Sequence, residues 1–228
     1  MLDFENLQKR YHDFLLDISN LSISKGEIVG IVGNNGAGKT TFLKLMLDLI
    51  KADEGQVVNF GVRVARSEDW KRHTGAYLNE DFLIPYLTPL EYLKLIQNLK
   101  HISASDFRHF LSEIEFFTGA ALNSSKYIDE LSKGNKLKVG ITGALVGDPR
   151  LLVLDEPFSH LDPSSQVALT SWLKNNRAHN SITLLSSHNL SNVNNLCSRI
   201  VLLDNGKVEK DLYKDEGTFD QIRAYFES

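Results

Sequence analysis

The spacing of apolar residues changes period several times along this chain. "FLLDISNLSI" (14–23) mixes alternation of apolar and polar positions with the β-branched residues Ile18 and Ile23. "GEIVGIVG" (26–33) is a compact apolar run closing on glycine. Both predict strands. From about Lys39 the period becomes helical, with Leu43, Met46, Leu47 and Ile50 on one face. "GQVVNFGVRVA" (55–65) and "TGAYL" (74–78) read as strands again. The middle of the chain changes character. Thr88, Pro89 and Glu91 supply a helix N-cap, a proline for the first helical position and the acid of a capping box. Between Ser105 and Phe117, residues Phe107, Phe110, Leu111, Ile114 and Phe117 recur at helical spacing. From about Lys133, so do Leu137, Ile141, Ala144 and Leu145.

After this helical stretch, "RLLVLDEP" (150–157) predicts a buried strand ending in acids, and Asp162-Pro163 opens a helix. "SITLLSSH" (181–188) is strand-like, "RIVLLDNGKVEK" (199–210) a hairpin turning on Asn205-Gly206, and "FDQIRAYF" (219–226) a closing helix. Strands alternating with helices predict an α/β fold with a largely parallel sheet. The expected organisation is one domain, 1–228, whose α/β core comes from 1–86 and 146–228, with a helical subdomain, 87–145, inserted between them.

Composition narrows the picture only slightly. With 228 residues, 42% of them hydrophobic, the chain can build a sizeable core. A formal net charge of −4 argues against a main task of neutralising a nucleic-acid backbone. Cys197 is the single cysteine, which excludes an internal disulfide, fits a reducing compartment and reads as a small buried apolar residue. "MLDFENLQKRYHDFLL" has acids where a signal peptide carries basic residues. No apolar run approaches a membrane-spanning length, so work at a membrane would need other chains to cross it.

The chemistry begins at Gly33-Asn34-Asn35-Gly36-Ala37-Gly38-Lys39-Thr40, which fits G-x-x-x-x-G-K-[ST] in full between a predicted strand and a predicted helix. Glycines let successive N–H groups turn inward toward anionic oxygens, and the helix N-terminus adds partial positive charge. Lys39 is expected on the β- and γ-phosphates, the Thr40 hydroxyl on Mg²⁺, and Thr41 on the α-phosphate. "LLVLDEP" then places Asp155 and Glu156 at a strand end. A cation near Thr40 would offset the burial of Asp155. Glu156, by strand alternation, should point to the other face and take a proton from an attacking water.

"ELSKGNKLKVGITGAL" (130–145) is similar to the signature segment of ATP-binding cassette (ABC) ATPases, usually L-S-G-G-Q and here Leu131-Ser132-Lys133-Gly134-Asn135. Other elements resemble that family in order. Tyr11 stands where an adenine-stacking aromatic is expected, and Glu80 in "YLNED" at the Q-loop position. "FSHLD" (158–162) resembles the D-loop, and His188 the switch histidine. Lys133 and Asn135 depart from the usual glycine and glutamine, and Glu80 from the usual glutamine. "LSKG" with "YL-x-E" resembles cassettes serving drug-, antibiotic- and polysaccharide-type exporters. His160 is read as non-catalytic.

The resemblance implies an ABC-ATPase core of the P-loop NTPase class: a mostly parallel sheet, an N-terminal antiparallel β portion and an inserted helical subdomain. It implies an ATPase that uses ATP and Mg²⁺, with Thr40, Glu80 and Asp155 toward the metal and Lys39, Glu156 and His188 in catalysis. It implies a second ATPase subunit whose Ser132 and Gly134 close over the γ-phosphate, with Asp162 coupling the two sites. Transmembrane permease subunits would place the protein on the cytoplasmic face of the membrane. A non-transport cassette with a soluble assembly or cell-division partner is the rival. A generic P-loop kinase or GTPase leaves "LSKGN" and His188 unexplained.

Overall fold

The computed structural model describes residues 1–176, 180–215 and 217–227. In chain order it has strands β1 (Leu2–Tyr11), β2 (Phe14–Ile23) and β3 (Ile28–Val32), helix α1 (Lys39–Met46), then β4 (Glu54–Asn59), β5 (Val62–Arg63) and β6 (Thr74–Tyr77). Three helices follow: α2 (Pro89–Leu99), α3 (Ala104–Thr118) and α4 (Lys133–Leu145). Then come β7 (Leu151–Leu154), α5 (Pro163–Asn176), β8 (Ile182–Ser187), α6 (Leu190–Leu196), β9 (Arg199–Asp204), β10 (Lys207–Tyr213) and α7 (Thr218–Glu227).

One sheet carries all of these strands, in the order β5-β4-β1-β2-β10-β9-β3-β8-β7-β6. The run β9-β3-β8-β7-β6 is parallel, and the N-terminal strands pair antiparallel. The α/β fold with a mostly parallel sheet and an N-terminal antiparallel portion is therefore the one expected. Strands β3, β7 and β8 are buried along their whole length, because helices or other strands cover both faces. Val29, Ile31, Val153 and Leu184 face a core that includes Phe42 of α1 and Phe4 of β1, whose rings lie 4.6 Å apart. Ile28, Val32, Leu152, Leu154 and Leu185 face the opposite core with α4, α5 and α6.

Local chemistry explains the helix ends. The Thr88 hydroxyl accepts the Glu91 N–H while Glu91 accepts the Thr88 N–H, closing the capping box. Ser132 caps α4 by accepting the Asn135 N–H. α4 lies hard on β6: a Cβ on Gly75 would stand 1.8 Å from the Ala144 carbonyl oxygen, and one on Gly140 2.1 Å from the Tyr77 ring. Asn205 and Gly206, both with positive φ, turn the β9–β10 hairpin.

Three readings of the pattern need correction. α1 stops at Met46 and Asp48 takes φ 52°, so Ile50 lies beyond the helix. The 55–65 run breaks at Phe60-Gly61 into β4 and the short β5. The N-terminal β portion begins already at Leu2 with β1, whose charged residues fall mostly on its less buried positions, and α6, two turns of mostly polar residues, adds a helix the pattern does not mark.

Candidate functional site

β3, β7 and β8 end side by side, and the loops that leave them build one site. After β3, Gly33 takes φ 157°, and a Cβ there would meet the Leu203 carbonyl oxygen at 2.3 Å. Gly38 takes φ 103°, with the Phe14 ring 2.8 Å from where its Cβ would be. The loop is braced from below: the Ala37 carbonyl accepts the Gly206 N–H (3.1 Å), and the Gly206 carbonyl accepts the Asp17 N–H (2.7 Å). α1 opens with no side-chain cap and no acid in its first turn. Its first N–H groups are thus left for an outside anion. The Lys39 ammonium, largely buried, donates to the carbonyls of Gly33 (2.8 Å) and Asn34 (3.2 Å). It is held over the loop rather than out in solvent. Asn35, Gly36, Gly38, Lys39, Thr40 and Thr41 line a cavity of about 320 Å³, and Asp155 and Glu156 line it too.

Asp155 is buried, and both of its oxygens are engaged. Thr40 Oγ1 donates to Oδ2 at 2.8 Å, and the Ser186 hydroxyl donates to Oδ1. Thr40 and Asp155 are hard oxygen donors in direct contact, the kind Mg²⁺ takes alongside phosphate and water oxygens, so this donor pair fits the expected ion. Glu156 is placed differently from its expected position. β7 ends at Leu154, and Glu156 adopts φ 48°. Strand alternation therefore does not direct it, and it lines the same cavity as Asp155. Its Oε2 lies 2.8 Å from His188 Nδ1 and also accepts the His188 N–H at 3.4 Å. The structure thus gathers Lys39, Thr40, Thr41, Asp155, Glu156 and His188.

The remaining expected residues stand apart from this cavity. Tyr11 is half-exposed at the tip of the β1–β2 hairpin, with Lys9 Nζ 5.8 Å above its ring. Its cross-strand partner Phe14, not Tyr11, lines the phosphate cavity. Glu80 opens into a neighbouring cavity of about 220 Å³, which it shares with Lys133, Ser159 and His160, and the acids Asp155 and Glu156 line both spaces. There Glu80 Oε2 pairs with Lys136 Nζ at 3.6 Å and makes no contact with Thr40. Burial raises the pKa of Tyr77, at the edge of this cavity, to about 12. Ser132 is occupied as the cap of α4. Gly134 backs onto the chain, its absent Cβ 2.7 Å from the His160 carbonyl oxygen. Asp162 caps α5, accepting from Ser164 and from the hydroxyl and N–H of Ser165, with Lys138 Nζ 3.9 Å away. Those hydrogen bonds hold its carboxyl well below the usual carboxylate range.

Sequence reasoning missed two residues at the site. Phe14 sits where the pattern shows only a strand residue. Ser186 is a fully buried hydroxyl near the end of β8, a strand that also buries Thr183 and Ser187, so the sequence offers no signal that singles it out. Another cavity, of about 400 Å³, lies between α3, α5 and residues 145–148. Its walls are aromatic and aliphatic, with His109 beside the acids Asp106, Glu113 and Asp148, a lining that disfavours an anion.

A family profile described as ABC transporter matches residues 16–159. The chain is 33% identical over 209 residues to the Nod factor export ATP-binding protein I of Burkholderia orbicola, covering 90% of this chain and 68% of that protein. It is 32% identical over 208 residues to a probable sulfate/thiosulfate import ATP-binding protein CysA of Chlorella vulgaris, covering 90% and 87%. It is 33% identical over 190 residues to the ABC transporter A family member 11 of Dictyostelium discoideum, where the match covers 82% of this chain but only 22% of the relative. Among solved structures, the ATP-binding subunit of an ABC transporter superposes with a TM-score of 0.86 at 29% identity, covering 100% of this chain and 93% of that one. A dimeric ATP-binding cassette, solved in a post-hydrolysis state with ADP and Pi, shares the fold: TM-score 0.76 at 24% identity, covering 93% and 98%.

Proposed function

Because the chain belongs to the ABC transporter ATPase family, we propose that it binds and hydrolyses ATP to drive an exporter. One observation carries this reading: loop N–H groups, Lys39, Thr40, Asp155 and Glu156 meet around a single cavity. The first N–H groups of α1 and the Lys39 ammonium would hold the β- and γ-phosphates. Thr40 and Asp155 would hold Mg²⁺, which when bound neutralises charge on the phosphate oxygens. Glu156 accepts a proton from water as the water oxygen attacks the γ-phosphorus. The bond from that phosphorus to the bridging oxygen breaks, giving ADP and inorganic phosphate. His188, held by Glu156, is placed to stabilise charge on the transferring group.

The residues outside the cavity fit a second copy of the chain. Ser132 and Gly134, at a helix start with no acid in its first turn, would meet the partner's γ-phosphate, and Asp162 would lie near that contact. Tyr11 would stack on adenine, and Glu80 would join the metal site once it leaves Lys136. The helices of 87–145 would shift together as ATP comes and goes. The dimeric cassette with ADP and Pi supports such an assembly by its shared fold.

Among the described residues no helix is long and apolar enough to cross a membrane. Permease subunits would dock on the exposed apolar side chains of Leu49, Phe82 and Tyr86, the first two lining a cavity of about 240 Å³ with Trp70. Docked there, the chain would lie on the cytoplasmic face of the membrane. Relatives are named for both export and import. The "LSKG" and "YL-x-E" segments favour export. Co-purification from detergent-solubilised membranes tests this proposal. A polytopic partner, and ATP-driven accumulation of cargo inside inverted membrane vesicles, is expected; a soluble partner alone would overturn it.

A further inference from the structure

We propose that Ser186 is a positioning residue for hydrolysis: its single hydroxyl sets the metal-side carboxylate and the backbone of the base at the same time. The proposal rests on the assignment of Glu156 as the base.

Ser186 is the next-to-last residue of β8 and has no exposed surface. A hydroxyl buried among Leu184, Leu185 and the facing strands is unfavourable unless both its donor and its acceptor sides are used. Here both are. The O–H donates to Asp155 Oδ1, and the oxygen accepts the Glu156 N–H at 2.9 Å. With only one hydrogen to give, the group has one arrangement that satisfies both neighbours.

The acceptor side matters most. Glu156 holds φ 48°, a left-handed conformation that L side chains resist. Its peptide is clamped from two directions. Ser186 takes the N–H, while the Ser159 N–H (3.1 Å) and hydroxyl (2.8 Å) donate to its carbonyl. This clamp turns the Glu156 side chain out of the strand line and toward His188. The bonds run in series from the Glu156 N–H through the Ser186 O–H to the Asp155 carboxylate, an arrangement in which each bond polarises the next. The charge on Asp155 therefore strengthens the hold on Glu156. Among the described residues the hydroxyl of the neighbouring Ser187 bonds to Asn189 and to neither acid, so the link is specific to position 186.

Removing the hydroxyl would leave the Glu156 N–H and Asp155 Oδ1 buried without this partner, and the base free to drift. Misplacement by about 1 Å costs on the order of 100-fold in rate. The test compares wild type with Ser186→Ala, Ser186→Thr and Glu156→Gln in the full chain. It uses single-turnover ATP hydrolysis, ATP affinity, and hydrogen exchange at the peptide containing Glu156. Ser186→Ala should hydrolyse about 10- to 100-fold more slowly, with ATP affinity unchanged within about threefold. The Glu156 amide should exchange faster. Ser186→Thr, which keeps the hydroxyl, should recover most of the rate. A wild-type rate or unchanged exchange in Ser186→Ala would overturn the proposal. So would a fall in affinity parallel to the fall in rate, or a threonine variant as slow as the alanine one. Glu156→Gln separates the two readings: normal turnover in that variant removes the base assignment itself, whereas slow turnover there beside fast Ser186→Ala removes only the role of Ser186.

Discussion

His188 Nδ1 stands 2.8 Å from Glu156 Oε2, although the two residues leave different strands. β7 and β8 are parallel neighbours, so their C-terminal loops emerge together and the contact is a consequence of sheet order. The expected result for Glu156→Gln follows from this geometry. Glutamine keeps the size and an oxygen for His188 but cannot take a proton. Single-turnover hydrolysis should fall by about 10²- to 10⁴-fold, while ATP still binds and a dimer accumulates on gel filtration with Mg-ATP. A variant that stays monomeric and turns over normally would remove Glu156 from the role of base.

Lys39→Ala should weaken ATP binding. The Lys39 ammonium already lies against the loop carbonyls of Gly33 and Asn34 at the cavity wall. A charge-assisted contact of this kind contributes about 1.5–3 kcal/mol, or roughly 10- to 100-fold in affinity. Equilibrium binding of a fluorescent ATP analogue measures it. Unchanged affinity would mean that the N–H groups alone hold the phosphates.

Tyr11 and Phe14 face one another across the β1–β2 hairpin but have different surroundings. Tyr11 is half-exposed, whereas Phe14 lies on Gly38. Tyr11→Ala should therefore weaken ATP by roughly 1–3 kcal/mol of lost stacking and leave inorganic tripolyphosphate binding alone. Phe14→Ala should weaken both ligands, because the phosphate loop loses its support. Calorimetry with the two ligands distinguishes them. Equal losses of tripolyphosphate binding in both variants would contradict an adenine role for Tyr11.

Much of this was readable from the sequence, for reasons that differ by element. The phosphate loop was legible because its glycines are needed one by one: Gly33 lies against the Leu203 carbonyl and Gly38 against Phe14. The capping box of α2 is a local motif whose partners lie three residues apart, and it formed as expected. The fold class followed from alternation of period. What stayed hidden depended on partners remote in sequence. Ser186 meets Asp155 only through the order β8-β7, which no local pattern encodes. Glu156 could not be aimed by strand alternation because its own φ of 48° breaks the strand. Asp162 looks like an interface residue in a motif, yet its oxygens are occupied by the start of α5.

Gly75→Ala should destabilise the fold without touching the site. Its Cβ would stand 1.8 Å from the Ala144 carbonyl oxygen, and backbone cannot rotate away as a side chain can. α4 would have to lift from β6. Overpacking of this kind costs about 1–3 kcal/mol, which for a chain of this length corresponds to roughly 2–12 °C in melting temperature. Differential scanning calorimetry reads the shift. An unchanged melting temperature would show that α4 is not seated on β6 as closely as described.

The cap of α5 predicts a pH dependence with a definite sign. Hydrogen bonds from Ser164 and Ser165 favour the charged form of Asp162, so its folded pKa is lowered from the ordinary 3.8. A depressed carboxylate pKa means that the unfolded chain binds the proton first on acidification. The stabilisation is therefore complete above the unfolded pKa and fades as pH falls below it toward the folded value. Asp162→Asn keeps the shape and a capping oxygen but not the charge. It should melt below wild type by a margin that stays constant from pH 7 down to about pH 4 and narrows below that. Melting curves of both proteins across that range supply the comparison. A margin that already closes between pH 7 and pH 6 would overturn the assignment to Asp162.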